Sequence, residues 1–151
     1  MPTAPAALRG VTQDNGRALA ELRVAAMRES LESVGRFDPD RAQARFLDGF
    51  DPRNTREIVS EGTRIGFVVV RQAEGHLMLD HLYIAPGSQG LGYGSQILKA
   101  IFAEADRENK VLRVGALKGS KSNEFYARHG FKLVESAEWD NYYVRQPNSE
   151  A

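Results

Sequence analysis

The chain has 151 residues, with 20 basic and 20 acidic side chains and no cysteine. That length suits one domain around a single core. Balanced charge gives no bulk attraction to nucleic acid or a membrane surface, and the lack of cysteine excludes disulfides, thiolate metal sites and a cysteine nucleophile.

Residues 1–6 are small and proline-broken, and with 147–151 they are expected to fray. Leu8 to Thr12 reads as a short strand. Asp14 is placed to cap a helix running to about Val34, whose apolar face is Val24, Met27, Leu31 and Val34 at helical spacing. Gly35 ends it. Pro39 suits the first turn of a second helix, Asp40 to Asp48, which is mostly polar and expected at the surface. Thr55 to Ser60, Arg64 to Arg71 and His76 to Ile84 read as three successive strands, joined by turns at Glu61-Gly62 and Ala73-Glu74-Gly75. The middle one is apolar enough to be buried on both faces.

A glycine-dense loop follows, and then a helix with Ile97, Leu98, Ile101, Phe102 and Ala105 on one face. Val111 to Leu117 is a strand, expected to run parallel to the strand before that helix. Ser122 to His129 is a short helix stopped by Gly130. Phe131 to Val134 and Trp139 to Val144 are the last strands. The order β-α-α-β-β-β-α-β-α-β-β predicts an α/β (α+β) domain, with a mixed sheet of about seven strands flanked by helices. No composition shift divides 1–151 into more than one domain. No apolar run approaches the roughly 20 residues a membrane helix needs. Met1 to Ala7 lacks the regions of a signal peptide, so a cytoplasmic location is expected.

The chemistry concentrates where the strand 76–84 passes through glycines into a helix. The first turn of a helix has N–H donors without intrahelical acceptors and a partial positive charge, which suits an anion. Glycines let the backbone approach a phosphate closely. The dinucleotide pattern Gly-x-Gly-x-x-Gly fails, because Gly90, Gly92 and Gly94 alternate. The P-loop fails too, because Gly94 is followed by Ser95 with no lysine. What stands is Gln-x-x-Gly-x-Gly, at Gln89, Gly92 and Gly94. Downstream lies Asn123-Glu124-Phe125-Tyr126-Ala127-Arg128-His129-Gly130-Phe131, a helix carrying Phe-Tyr and ending in Gly-Phe.

These two motifs, one helix and one strand apart, resemble the GCN5-related N-acetyltransferases (the GNAT superfamily), and the order of elements resembles that family over nearly the whole chain. The resemblance implies a mixed, mostly antiparallel sheet and acetyl-CoA as donor, with its pyrophosphate on Gln89, Gly90, Leu91, Gly92, Tyr93, Gly94 and Ser95. It implies that Leu82, Tyr83 and Ile84 bulge and splay from the next strand, so that their backbone pairs with the pantetheine. The Ile84 N–H would then polarise the thioester carbonyl. Tyr126 matches the family's acid that protonates the departing thiolate, and a phenol with a pKa near 10 is a donor at neutral pH.

The family often places its general base at the positions of Met78 and Asp80. Met78 cannot act, so Asp80 is the candidate, against the simpler reading that it braces the bulge. His81 faces the other way unless a bulge shifts the phase. One departure stands out. Gly119 occupies a position where many members carry a CoA-binding Asn, so Asn123, with a hydroxyl from Ser120 or Ser122, is the substitute, and local capping is the competing role for Asn123.

The implied reaction is direct attack of a bound amine on the thioester, since no cysteine and no Ser-His pair offers an enzyme nucleophile. The alternative is a catalytically weak acyl-CoA-binding sensor or interaction module. Three scattered histidines form no metal-ligand spacing. Zero net charge argues against a charged-tRNA acceptor, despite Arg36, Arg41 and Arg45. The acceptor, whether a small amine or a peptide or protein amine, is not readable from the motifs, and the family often forms homodimers. In the family layout Met27, Glu32, Phe37, Asp80, Tyr83, Tyr142 and Tyr143 would wall its site. With carboxylates among aromatic rings, the site is expected to favour a cationic or polar amine.

Overall fold

The computed structural model describes residues 4–33 and 35–148. Seven strands, β1 (Ala7–Gly10), β2 (Thr55–Ser60), β3 (Thr63–Ala73), β4 (His76–Ile84), β5 (Val111–Leu117), β6 (Lys132–Ser136) and β7 (Asp140–Arg145), form one sheet in the order β1-β2-β3-β4-β5-β7-β6. Four helices flank it: α1 (Gly16–Ser33), α2 (Pro39–Gly49), α3 (Tyr93–Arg107) and α4 (Ser122–Arg128). The sheet is mixed and mostly antiparallel. β4 and β5, joined through α3, pair in parallel. Among the described residues no helix is long and apolar enough to cross a membrane.

By internal contacts the chain divides into two compact units, Met1–Val69 with His81–Ile97 and Val70–Asp80 with Leu98–Ala151. In the first, Leu19, Ala20, Phe46 and Phe67 make a buried cluster, with Val69 and Tyr83 packed against it. In the second, alternate residues Leu112, Val114 and Ala116 of β5 are buried, as a half-covered strand requires. Phe131 packs against Phe102 and Tyr126. Full burial of such side chains stabilises by roughly 1.5–3 kcal/mol each.

Several expectations are corrected. α1 is not capped by Asp14: a short 3-10 turn, Gln13–Asn15, precedes it. Thr12 stands before that turn, and the Asn15 side chain reaches back to accept the Thr12 N–H at 2.8 Å, the geometry of a capping box. Val34 lies outside the described residues. Burial on α1 falls on Gly16, Leu19 and Ala20, while Val24, Met27 and Leu31 are only partly covered. Gly35 takes φ 70°, and the Arg36 N–H closes back on Leu31 O at 2.8 Å, which terminates the helix. α2 is not wholly a surface helix, because Phe46 is buried against Phe67 at 5.3 Å between ring centroids. Phe131 precedes β6 rather than opening it.

The ends are held further out than expected. The Ala6 N–H donates to Gln96 Oε1 at 3.0 Å, and Pro5 O accepts from Ser60. At the other end, the Asn148 N–H donates to Asp106. Residues 1–3 and 149–151 lie outside the described residues.

Register along β3 and β4 bears on the site. Just past the end of β4, the Ala85 N–H donates to Ile65 O at 2.8 Å, which sets Ala85 opposite Ile65.

Candidate active site

β4 ends at Ile84 and the chain turns through Pro86–Ser88. The Gln89 side chain folds back, and its Nε2 donates to Ile84 O at 2.9 Å. Gln89 thus braces the loop on the strand. Gly90 and Gly92 take φ 77° and 88°, a region L-residues avoid. A Cβ at either would meet nothing within 4 Å. Conformation, and not crowding, keeps these positions glycine, and the space beside them is open to a ligand. Leu91, between them, is half exposed.

α3 begins at Tyr93, and its ladder includes the Gln96 N–H to Gly92 O at 3.2 Å. The Tyr93 and Gly94 N–H groups precede that ladder, in the turn where an anion binds most favourably. The Tyr93 side chain is buried, with its hydroxyl 3.2 Å from Ser60 Oγ. Only its backbone can serve a ligand at the loop. Ser95 follows in the same turn.

At the end of β4, a Cβ on Gly66 would collide with the Tyr83 carbonyl oxygen, so glycine is needed at that point of β3. Ala85 bonds to Ile65 in an antiparallel pair. The alternation of such pairs turns the Ile84 N–H and C=O away from β3. The His81 and Tyr83 rings lie 5.5 Å apart and both face Phe67. His81 Nδ1 is 3.3 Å from the Tyr83 hydroxyl. Two residues apart, they share a face by ordinary strand alternation, with no shift of phase. Leu82 is partly covered.

In the second unit, the Asp80 carboxylate takes both Nε and Nη2 of Arg71, at 2.8 and 3.3 Å. Those bonds from Asp80 raise the pKa of Arg71. Glu32, in the first unit, is likewise held by Arg28 at 2.8 Å, and Arg28 lies over the Phe37 ring. Both carboxylates expected to attract an ammonium already hold an arginine. The β4–β5 ladder registers from His76↔Val111 to Leu79↔Val114, although β4 runs on to Ile84 and β5 to Leu117.

Tyr126 is buried on α4, with its ring 5.3 Å from Phe131 and 6.4 Å from Tyr143. Asn123, one turn earlier, is a hub. Its Nδ2 donates to Leu117 O, Ser120 O and Ser120 Oγ at 2.9, 3.0 and 3.3 Å. Its Oδ1 accepts from Asn141 Nδ2 at 3.0 Å and the Tyr143 hydroxyl at 2.8 Å. An amide has two N–H donors and two lone pairs. All are used within the protein, so Asn123 ties β5, β7 and α4 together, which goes beyond local capping. Ser120 accepts from Asn123 and keeps its own hydroxyl proton to donate.

The residues that sequence reasoning passed over are Gly66, whose place inside an apolar strand is itself a sign of close backbone approach, and Arg23. The Arg23 Nη1 donates to Ala42 O at 3.2 Å while its Nε is buried without a partner. No local pattern marks that residue.

Residues 55–133 match the family model of the acetyltransferase (GNAT) domain, and the chain belongs to this family. Solved structures share its fold at low identity. The PaiA N-acetyltransferase of Thermoplasma acidophilum, in complex with coenzyme A, superposes with a TM-score of 0.76 at 13% identity, covering 94% of this chain and 99% of that one. An acetyltransferase from Thermus thermophilus gives 0.74 at 19%, covering 97% and 99%. A GNAT-family acetyltransferase from Listeria monocytogenes gives 0.65 at 14%, covering 95% and 98%. No curated protein matches the chain in sequence.

Proposed function

We propose that this chain moves the acetyl group of acetyl-CoA to an amine nitrogen by direct attack. The observation that carries the reading is the loop 89–95, with two positive-φ glycines opening on free space at the start of α3. The donor, when bound, supplies a thioester whose acetyl group is activated toward an amine. Gly90, Leu91, Gly92, Tyr93, Gly94 and Ser95 hold the pyrophosphate through backbone N–H groups and the Ser95 hydroxyl. Gln89 keeps the loop against β4. Leu82, Tyr83 and Ile84 present backbone to the pantetheine, beyond the last registered β4–β5 pair. The Ile84 N–H, turned away from β3, polarises the acetyl carbonyl, and Ser120 adds a hydroxyl contact.

The remaining residues move protons. As the amine nitrogen bonds to the acetyl carbon and the carbon–sulfur bond breaks, Tyr126 gives its phenolic proton to the thiolate. Asp80, oriented by Arg71, receives the amine's proton directly or through water. Solvent then returns a proton to the Tyr126 phenolate and takes one from Asp80, so both groups are restored.

Purified protein with acetyl-CoA and a panel of amines tests the reaction. Thiol should be released only with a productive amine, whose mass then rises by one acetyl group. Thiol release indifferent to every amine would reject transfer. Asp80→Asn should lower kcat/KM and remove the acidic limb of its pH profile. An unaltered profile in an active variant would leave Asp80 as a brace of the strand.

A further inference from the structure

Arg23 on α1 is partly buried and has no carboxylate partner among the described residues. One of its five N–H donors reaches Ala42 O on α2. Its Nε is buried with no acceptor, and the guanidinium lies 5.9 Å from the centre of the Tyr83 ring. A cation withdrawn from water without an anion is unfavourable, and here Arg28 and Arg71, by contrast, each hold a carboxylate. The planar fork of an arginine fits a carboxylate in two parallel bonds.

Next to Arg23 lies the Tyr83 ring, 5.5 Å from that of His81, and both rest on the buried rings of Phe46 and Phe67. Arg23, His81 and Tyr83 are each partly exposed, so a solute reaches this corner. Tyr83 also directly precedes Ile84, the residue assigned to the acetyl carbonyl. We infer that Arg23 selects the acceptor, which is a small amine bearing a carboxylate, an amino acid with its side chain against the aromatic rings. The inference rests on the acetyl-transfer reading and narrows the cationic or polar amine that Glu32 and Asp80 suggest in the sequence to one that also carries a carboxylate.

The rival role for Arg23 is mechanical, tying α1 to α2 through Ala42. Acetyl transfer to the free L-amino acids and to their carboxamides, with polyamines and aminoglycosides as carboxylate-free amines, separates the two. Wild type should favour the acid over its carboxamide by about tenfold or more in kcat/KM, mainly through KM. In Arg23→Gln that ratio should fall toward one, and Arg23→Lys should recover part of it. A mechanical role would depress both substrates together and leave the ratio intact, which overturns the inference. Transfer only to carboxylate-free amines also overturns it and leaves the acetyltransferase reading standing. No transfer to any amine, with acetyl-CoA still bound, overturns both.

Discussion

The loop 89–95 and the Asn123 hub are built from opposite materials. In the loop, function lies in the backbone. Gly90 and Gly92 hold positive φ with no neighbouring side chain, and the two long polar or aromatic side chains, Gln89 and Tyr93, turn back to Ile84 and Ser60. At the hub, function lies in one side chain whose five hydrogen bonds reach β5, the following loop and β7. A ligand site needs backbone that a ligand can approach, while a structural joint spends its side-chain bonds within the protein. The open space beside Gly90 and Gly92 assigns the first region to binding, and the second holds β5, β7 and α4 together.

The largest effect that would break this division is expected at the hub. Asn123→Ala removes every one of those bonds and leaves Tyr143 and Asn141 short of a partner, so it should destabilise by about 2–3 kcal/mol. Thermal unfolding should shift down by roughly 5–10 °C. A variant with wild-type thermal stability but weakened acetyl-CoA binding would restore Asn123 as a ligand and erase the contrast.

Tyr126→Phe comes next. The ring contacts with Phe131 and Tyr143 remain, so the variant should fold and bind acetyl-CoA normally. General acids contribute typically ~10²–10⁴-fold, and an alkyl thiolate with a pKa near 8.5 leaves fairly well unaided. Turnover should drop by about 10–100-fold. An undiminished rate, with chemistry shown to be limiting, would reduce Tyr126 to a packing residue like its neighbours.

The smallest effect concerns a charge network remote in kind from both regions. Glu57 on β2 is buried beneath Arg9 and Arg64. Burial pushes its carboxyl up, but the bonds from Arg64 and Arg9 outweigh that, so it titrates below the usual glutamate range. A depressed carboxylate contributes stability above its unfolded pKa, about 4.3, and this is lost as pH falls through the lower folded value. Stability measured by denaturant from pH 6 to 3 should therefore fall less steeply in Glu57→Gln than in wild type. Parallel curves would show that the network contributes nothing to acid sensitivity.

How much was legible follows from the same contrast. The bounds of β2, β4 and β5, the order of all eleven elements and the glycine loop rest on local patterns, namely alternation, turn residues and a strand-to-helix passage, and these were readable. Asn123 was not, because Asn141 and Tyr143 lie 18 and 20 residues away and only the fold brings them to it. Phe46 escaped for the same reason: a single aromatic in a polar helix shows no stripe. The start of α1 moved because Asn15, and not Asp14, reaches back to Thr12. Arg23 carries no local signature, since what distinguishes it is a missing partner. Asp80 and Glu32 were visible as carboxylates, but their arginines were not.

The central claim is that the backbone of loop 89–95 binds the donor. Titration calorimetry of acetyl-CoA into Gly92→Val tests it most directly, with circular dichroism and a melting curve confirming a folded protein. A β-branched residue at φ 88° both strains the loop and fills the space a pyrophosphate would use. Affinity should fall by about 100-fold or more, since every 1.4 kcal/mol is tenfold. Wild-type affinity in the folded variant would contradict the account.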